Sequence, residues 1–199
     1  MSNLSNRLQK HFVVCAAAAA AVATTAHAGV VYSGPVSIVI PDDFGGLYMD
    51  VVTGATAGAG FAGYDINPYS AGAPGTSFNL WGPTATTWLD IGGGTYNLPA
   101  GTAIGAGGTY GRPGGVSIDP QMNLNSDNNY LGFNFINESL AGATNYGWVQ
   151  LRFGADPGTR EIIGYAYEDS GADIGAGVVP APASMALLAL GGLVGRRRR

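Results

Sequence analysis

Apolar and polar residues alternate most regularly in the C-terminal third of the chain. Three segments, 130–136, 146–153 and 160–168, carry this period of two, and residues 156–158 (Asp-Pro-Gly) between the last two are a turn signal. Such alternation in consecutive segments predicts antiparallel strands that each bury one face. Each segment places its alternate residues on one face of its strand: Leu131, Phe133 and Phe135 in the first, Val149, Leu151 and Phe153 in the second, and Ile163, Tyr165 and Tyr167 in the third. For the second segment we predict that this face is the buried one.

The earlier part of the body consists of shorter β-rich runs separated by Gly, Pro, Asn and Asp. Residues 92–115 are mostly Gly, Ala, Thr and Pro, and we predict a loop there with one poor strand. The predicted short strands occupy 36–40, 47–53, 61–66, 77–81 and 86–91. Because no part of the body keeps helical apolar spacing, the sequence predicts an all-β fold, with a single antiparallel β-sandwich or jelly-roll domain at 29–177.

The N-terminal segment 1–28 has the features of a secretory signal peptide. A weakly basic start is followed by an apolar run at 12–23 and by the small residues Ala26 and Ala28, which form an A-x-A cleavage site. We expect signal peptidase to cut before Gly29, so that the body leaves the cytoplasm.

The C-terminal segment 178–199 has three parts in a fixed order. Pro180 and Pro182 form a break, and 183–194 is an apolar run that predicts a short hydrophobic helix. At about 1.5 Å per residue this helix spans roughly 18 Å, which is short for a bilayer core of about 30 Å. A basic block follows and is expected to stay on the cytoplasmic side, which predicts a stop-transfer tail. It consists of Arg196, Arg197, Arg198 and Arg199.

This layout resembles the PEP-CTERM sorting signal, with Ala181 where the family's motif has glutamate. The resemblance implies that an exosortase, a membrane-embedded cysteine protease-transpeptidase, processes the tail while it is held transiently in the inner membrane. The strand block 130–171 also resembles the closing strands of many proteins of that family. An ordinary tail anchor or a buried C-terminal helix is the alternative, although four terminal arginines disfavour a buried helix.

The composition of the body excludes several kinds of chemistry. It has no His, Cys or Lys, and its three arginines face thirteen Asp and Glu residues, a net charge of −10. A Ser-His-Asp triad, a thiol nucleophile, a Schiff-base lysine and a histidine zinc site are therefore excluded within the body. The acidic balance also disfavours nucleic acid as a partner.

Glycoside hydrolysis by two carboxylates is the remaining enzymatic option. Glu161 and Glu168 lie seven residues apart on one predicted strand, so a regular strand places them on opposite faces. The Gly58–Gly63 segment matches G-x-G-x-x-G by chance in a glycine-rich chain, since no helix is predicted after it. We predict that the protein is not an enzyme and has no cofactor.

Two kinds of binding site remain open. The oxygens of the cluster Asn123, Asn125, Asp127, Asn128 and Asn129 could hold calcium, although this segment fails the EF-hand template. Asx turns in solvent are the alternative.

Aromatic residues are the second option, since Trp81, Trp88 and Trp148 with ten tyrosines could form a sugar-stacking face. Trp148 is the predicted surface member, because Gln150 and Arg152 share its face.

We therefore expect an exported protein of the cell surface, outer envelope or extracellular matrix with a structural or adhesive role. The alternative is a carbohydrate-binding, lectin-like module. The expected partners are signal peptidase, an exosortase-like enzyme, extracellular polysaccharide and, transiently, the inner membrane.

Overall fold

The computed structural model of the chain describes residues 29–113 and 116–179. They form thirteen β-strands and two 3-10 turns, Asp119–Gln121 and Glu138–Leu140, and no helix among them is long and apolar enough to cross a membrane. The strands are β1 Val30–Tyr32, β2 Ile38–Val39, β3 Tyr48–Met49, β4 Thr56–Ala57, β5 Asn67–Tyr69, β6 Asn79–Trp81, β7 Thr87–Leu89, β8 Ala103–Ile104, β9 Tyr110–Gly111, β10 Ser126–Asn137, β11 Ala143–Phe153, β12 Arg160–Glu168 and β13 Ile174–Gly175. The predicted signal peptide and the tail from Pro180 onward lie outside the described residues.

One antiparallel sheet of seven strands dominates this part of the chain. Its order is β1-β12-β11-β10-β7-β9, and β2 pairs with β12 beside β1. The long central strands β10, β11 and β12 are consecutive in the chain and neighbours in the sheet, as the alternation in the three segments predicts. The outer strands are only two or three residues long.

Both faces of this sheet are covered. On one face the larger core packs under the β3–β4 and β5–β6 ribbons, which a bridge between Met49 and Ile66 connects. The side chains of Val149, Leu151 and Phe153 lie in this core and are at most 1% exposed. On the other face the β8–β13 ribbon covers a smaller cluster that includes Ile104 and Ile174. The all-β, antiparallel class predicted from the sequence is thus confirmed.

A β-bulge in β12 changes which residues face the core. Gln150 pairs with Gly164 but Leu151 pairs with Ile162, so Ile163 is an extra residue without a partner in β11. A bulge shifts the alternation by one residue. Ile162, and not Ile163, therefore lies in the larger core on the same side as Tyr165 and Tyr167, so the prediction that Ile163 shares their face is wrong.

The short strands depart most from the sequence predictions. Residues 61–66 form no strand, whereas β5 follows them directly. Residues 92–115, predicted as a loop with one poor strand, contain two short strands, β8 and β9. A strand of two or three residues has too few positions to show a period of two, so its pairing depends on distant parts of the chain.

Candidate functional site

The three tryptophans lie in different environments. Trp88 and Trp148 are each 1% exposed, whereas Trp81 is 43% exposed. The indole nitrogen of Trp148 donates a hydrogen bond to the carbonyl of Val178 at 3.3 Å, and its ring packs against Tyr32. The prediction of an accessible Trp148 is therefore wrong, because the β8–β13 ribbon and Val178 cover that end of the sheet face.

On the same face, Gln150 is half-buried and Arg152 is exposed. Arg152 binds the two carboxylate oxygens of Asp127 at 2.6 and 2.9 Å and an oxygen of Glu161 at 2.7 Å. The hydrogen bonds from Arg152 lower the pKa of Asp127. The pKa of Glu161 is also lowered, first by a hydrogen bond from Ser37 and then by Arg152. These contacts occupy all three nitrogens of the guanidinium.

A cleft of about 480 Å³ lies beside this ion cluster. Arg152 and Glu161, which form an ion pair, line it together with Val39. Two glycines, Gly154 and Gly158, also line it and contribute only backbone atoms. Because the charged groups are already paired, this cleft offers few free groups to a ligand.

A smaller cleft, of about 220 Å³, is lined almost entirely by aromatic rings. We call it the aromatic cleft. Strands β3, β5 and β6 and the turn before β3 supply its five residues, which are Phe44, Tyr48, Asn67, Tyr69 and Trp81. Phe44 is 78% exposed. Phe44 and Trp81 are the two exposed aromatic residues within 29–113 and 116–179. The two exposed rings of the described chain therefore line one site.

The turn before β3 holds Phe44 in place through its backbone. The carboxylate of Asp43 accepts a hydrogen bond from the amide of Gly46 at 2.7 Å, and the Asn67 amide donates to the carbonyl of Gly45 at 2.9 Å. Gly46 has φ of 62°, and a Cβ there would lie 2.4 Å from the carbonyl oxygen of Pro68. Glycine is thus required for the turn to pack on β5.

Neighbouring rings fix the walls of the aromatic cleft. Phe44 meets Tyr69 edge to face at 5.7 Å between centroids, and Tyr48 meets Tyr64 in the same way at 4.9 Å. The guanidinium of Arg112 lies 5.5 Å from the ring of Trp81 and donates to the carbonyl of Pro83. Such contacts restrict the rings before any ligand arrives.

The chemistry of the aromatic cleft suits binding rather than reaction. None of its five lining residues is Asp, Glu, Lys, Arg or His. Within the described residues, the hydroxyls of Tyr48 and Tyr69 have no hydrogen-bond partner. The Asn67 side chain uses its amide nitrogen, and its Oδ1 has no donor there. Desolvation raises the pKa of Tyr69, so its hydroxyl keeps its proton at neutral pH. Apolar ring faces beside a few free polar groups are typical of small-ligand sites.

The bulge in β12 also alters the geometry of the two strand carboxylates. Because Ile163 is the extra residue, Glu161 and Glu168 lie on the same face, and the predicted placement on opposite faces is wrong. They are nevertheless roughly 20 Å apart along the strand, well beyond the separations that glycosidases use. The carboxylate of Glu168 accepts hydrogen bonds from the amides of Ser170 and Ala172.

The Asn/Asp cluster forms internal hydrogen bonds. The Oδ1 of buried Asn129 accepts from the amide of Asn123 at 2.7 Å and from the Asn97 side chain at 3.0 Å. Asp127 points to Arg152 instead. Within 29–113 and 116–179 no three acidic, His or Cys side chains are grouped to hold a metal ion. Calcium binding stays a prediction, which the pairing of Asp127 with Arg152 does not favour.

Sequence reasoning considered Trp81 but missed the site around it. The available signal is Phe44, a large apolar residue inside the turn sequence Asp43-Phe44-Gly45-Gly46. A turn places such a ring at the surface, and an exposed aromatic ring in a turn indicates a binding site for a ligand or a partner. The chain matches no protein-family model, no curated protein and no solved structure.

Proposed function

We propose that the protein is exported and sorted to the cell surface or extracellular matrix, where its β-domain has a structural and adhesive role. The signal peptide at 1–28 and the tail at 178–199 support export and processing by an exosortase-like enzyme. We also propose a β-sandwich classification for the domain, since its main sheet buries a core under ribbons on each face.

The sorting proposal predicts a defined product. Cleavage near Pro180 to Pro182 removes Arg196 to Arg199, so an intact-mass measurement of envelope-extracted protein should show a chain without these arginines. Replacing the four arginines by serine should release the chain or misdirect it, because the stop-transfer charge is lost. Recovery of the full tail from the envelope would contradict the proposal.

Adhesion, in this proposal, is binding of polysaccharide in the aromatic cleft. The carrying observation is that Phe44 and Trp81, the two exposed aromatic side chains of the described residues, line one cleft together with the largely buried Asn67. Aromatic rings stack on the apolar C–H faces of sugars, while amide and hydroxyl groups bind sugar hydroxyls.

The charge of the body selects neutral polysaccharide. Its net charge of −10 repels uronic acids and sulfated glycans, and Arg112, a cation beside the aromatic cleft, stacks on Trp81 and donates to the carbonyl of Pro83. The volume of about 220 Å³ is below the roughly 300–1,000 Å³ of typical small-molecule sites. We therefore expect single sites to hold part of a glycan chain weakly, with strength coming from many copies on a surface.

The test compares the exported protein with two matched pairs of variants on immobilised neutral polysaccharides. Trp81→Ala and Phe44→Ala should each weaken binding by about 5- to 30-fold, which corresponds to about 1–2 kcal/mol. Ile91→Ala and Val39→Ala remove exposed apolar side chains elsewhere and should leave binding unchanged. Equal losses in all four variants, or wild-type binding in the first two, would reject glycan binding at the aromatic cleft.

A further inference from the structure

Strand β1 begins one residue after the predicted signal-peptide cleavage site. The backbone nitrogen of Gly29 donates a hydrogen bond to the Oδ1 of Asp169 at 2.6 Å. In return, the amide of Asp169 donates to the carbonyl of Gly29 at 3.3 Å. The nitrogen that cleavage after Ala28 would free thus already lies against a carboxylate.

We infer that cleavage after Ala28 creates an ion pair between the α-ammonium group of Gly29 and the carboxylate of Asp169, and that this pair fixes β1 on the main sheet. Signal peptidase hydrolyses the peptide bond with water, whose oxygen becomes part of the new carboxylate of Ala28. The amine stays on Gly29 and takes up a proton, since an ordinary α-amino pKa of about 7.7–8.0 leaves it mostly protonated at neutral pH. The inference depends on the predicted cleavage site and is independent of glycan binding.

The acceptor is held in position before cleavage. The carboxylate of Glu168 accepts hydrogen bonds from the amides of Ser170 at 2.9 Å and Ala172 at 2.8 Å, which closes the turn around Asp169. The side chain of Asn145 donates to the carbonyl of Glu168 at 2.6 Å. A carboxylate placed by a rigid turn loses little conformational freedom when it pairs with a cation.

The pair would act on a strand that has few other contacts. β1 has three residues, lies at the edge of the sheet and, among the described strands, pairs only with β12. Its residues Val30 and Tyr32 nevertheless pack on the smaller cluster, where Tyr32 meets Trp148 at 6.0 Å. A hydrogen bond from an ammonium to a carboxylate is roughly twice as strong as one between neutral groups. Maturation would therefore strengthen the cover over Trp148.

The composition of the chain provides a clean test. Its single lysine, Lys10, lies in the signal peptide, so an amine-acetylating reagent can react with only one amine on the processed protein, the α-amine. The exported protein is purified, its N-terminus is identified by mass spectrometry, and melting temperatures are measured before and after acetylation. We expect Gly29 as the first residue and a melting temperature about 2–4 °C lower after acetylation.

Two variants separate the ion pair from a general effect of acetylation. Asp169→Asn keeps an acceptor oxygen but loses the charge, so acetylation should no longer change the melting temperature and the α-amine should react faster. Asp173→Asn removes a charge of the same sign four residues away and should respond like the wild type. A different first residue, or the same decrease in Asp169→Asn as in the wild type, would overturn the inference.

Discussion

The guanidinium carbon of Arg160 lies 5.1 Å from the centre of the Phe78 ring, inside the larger core. The Arg160 side chain is fully buried and donates hydrogen bonds to the carbonyls of Ser77, Pro157 and Pro41 at 2.8 to 2.9 Å. Desolvation lowers the pKa of Arg160. One arginine thus connects β12 with the turn before β3 and with the segment that leads into β6.

Arg160→Ala should therefore destabilise the protein strongly. The change leaves three carbonyls without their donor and removes the partner of Asp42, so we expect a loss of about 3–5 kcal/mol in the free energy of unfolding. Arg152→Ala is the matched control, because Arg152 is exposed and its ion pairs are screened by water. Urea unfolding measures both. Equal midpoints for the two variants would contradict this assignment.

Phe153→Ala tests the register of β11. Phe153 is 1% exposed and meets Phe78 edge to face at 5.1 Å, so truncation should cost about 3–5 kcal/mol. A slip of one residue would exchange the buried and exposed faces of the strand. If Arg152→Ala unfolds the protein while Phe153→Ala leaves it intact, the register is wrong.

Asp65 should make stability depend on pH. Burial is the main cause that raises its pKa to about 7, helped by Asp50 and Glu138 and opposed by a hydrogen bond from the amide of Val51. Between about pH 4 and 7 the folded chain holds a proton that the unfolded chain has lost. The free energy of unfolding is therefore greatest near pH 4, falls as the pH rises towards 7, and levels off above it. The full effect is at most about 4 kcal/mol.

Asp65→Asn should remove this pH dependence, because an amide side chain can still accept the Val51 hydrogen bond at 2.8 Å without carrying a charge. Chemical denaturation at several pH values measures the slope. Asp173→Asn, at an exposed position, is the control and should keep the wild-type slope. An unchanged slope in Asp65→Asn would show that another group titrates.

Gly46→Ala tests the turn that positions Phe44. The new Cβ would lie 2.4 Å from a backbone oxygen, so the turn must shift, which we expect to weaken polysaccharide binding and to reduce stability. Gly34→Ala is the control, since Gly34 also has positive φ but nothing lies within 4 Å of a Cβ there. It should cost only about 1–2 kcal/mol of backbone strain. Similar losses in both variants would argue against close packing at Gly46.

The sequence predicted the long strands well and the exposure of their outer face poorly. In β10 to β12 each strand has enough residues to show alternation, and Val149, Leu151 and Phe153 are buried as predicted. The bulge at Ile163 was not predictable, because two adjacent isoleucines fit either phase of the alternation.

The candidate site required information that a local pattern does not contain. Trp81 and Trp148 both lie in segments predicted as strands, so the local sequence does not show which of them is exposed. In the structure the ribbon formed by β8 and β13 covers Trp148 and leaves Trp81 exposed. These two strands come from distant parts of the sequence and contain two residues each. Which tryptophan stays exposed is therefore decided by long-range packing.

The short outer strands of the main sheet matter for crowding. β1, β2 and β9 offer only two or three residues each to a neighbouring chain, whereas edge-to-edge polymerisation of sheets needs long, flat and unpaired strands. Copies of the protein at high local concentration should therefore not polymerise through these edges of the main sheet.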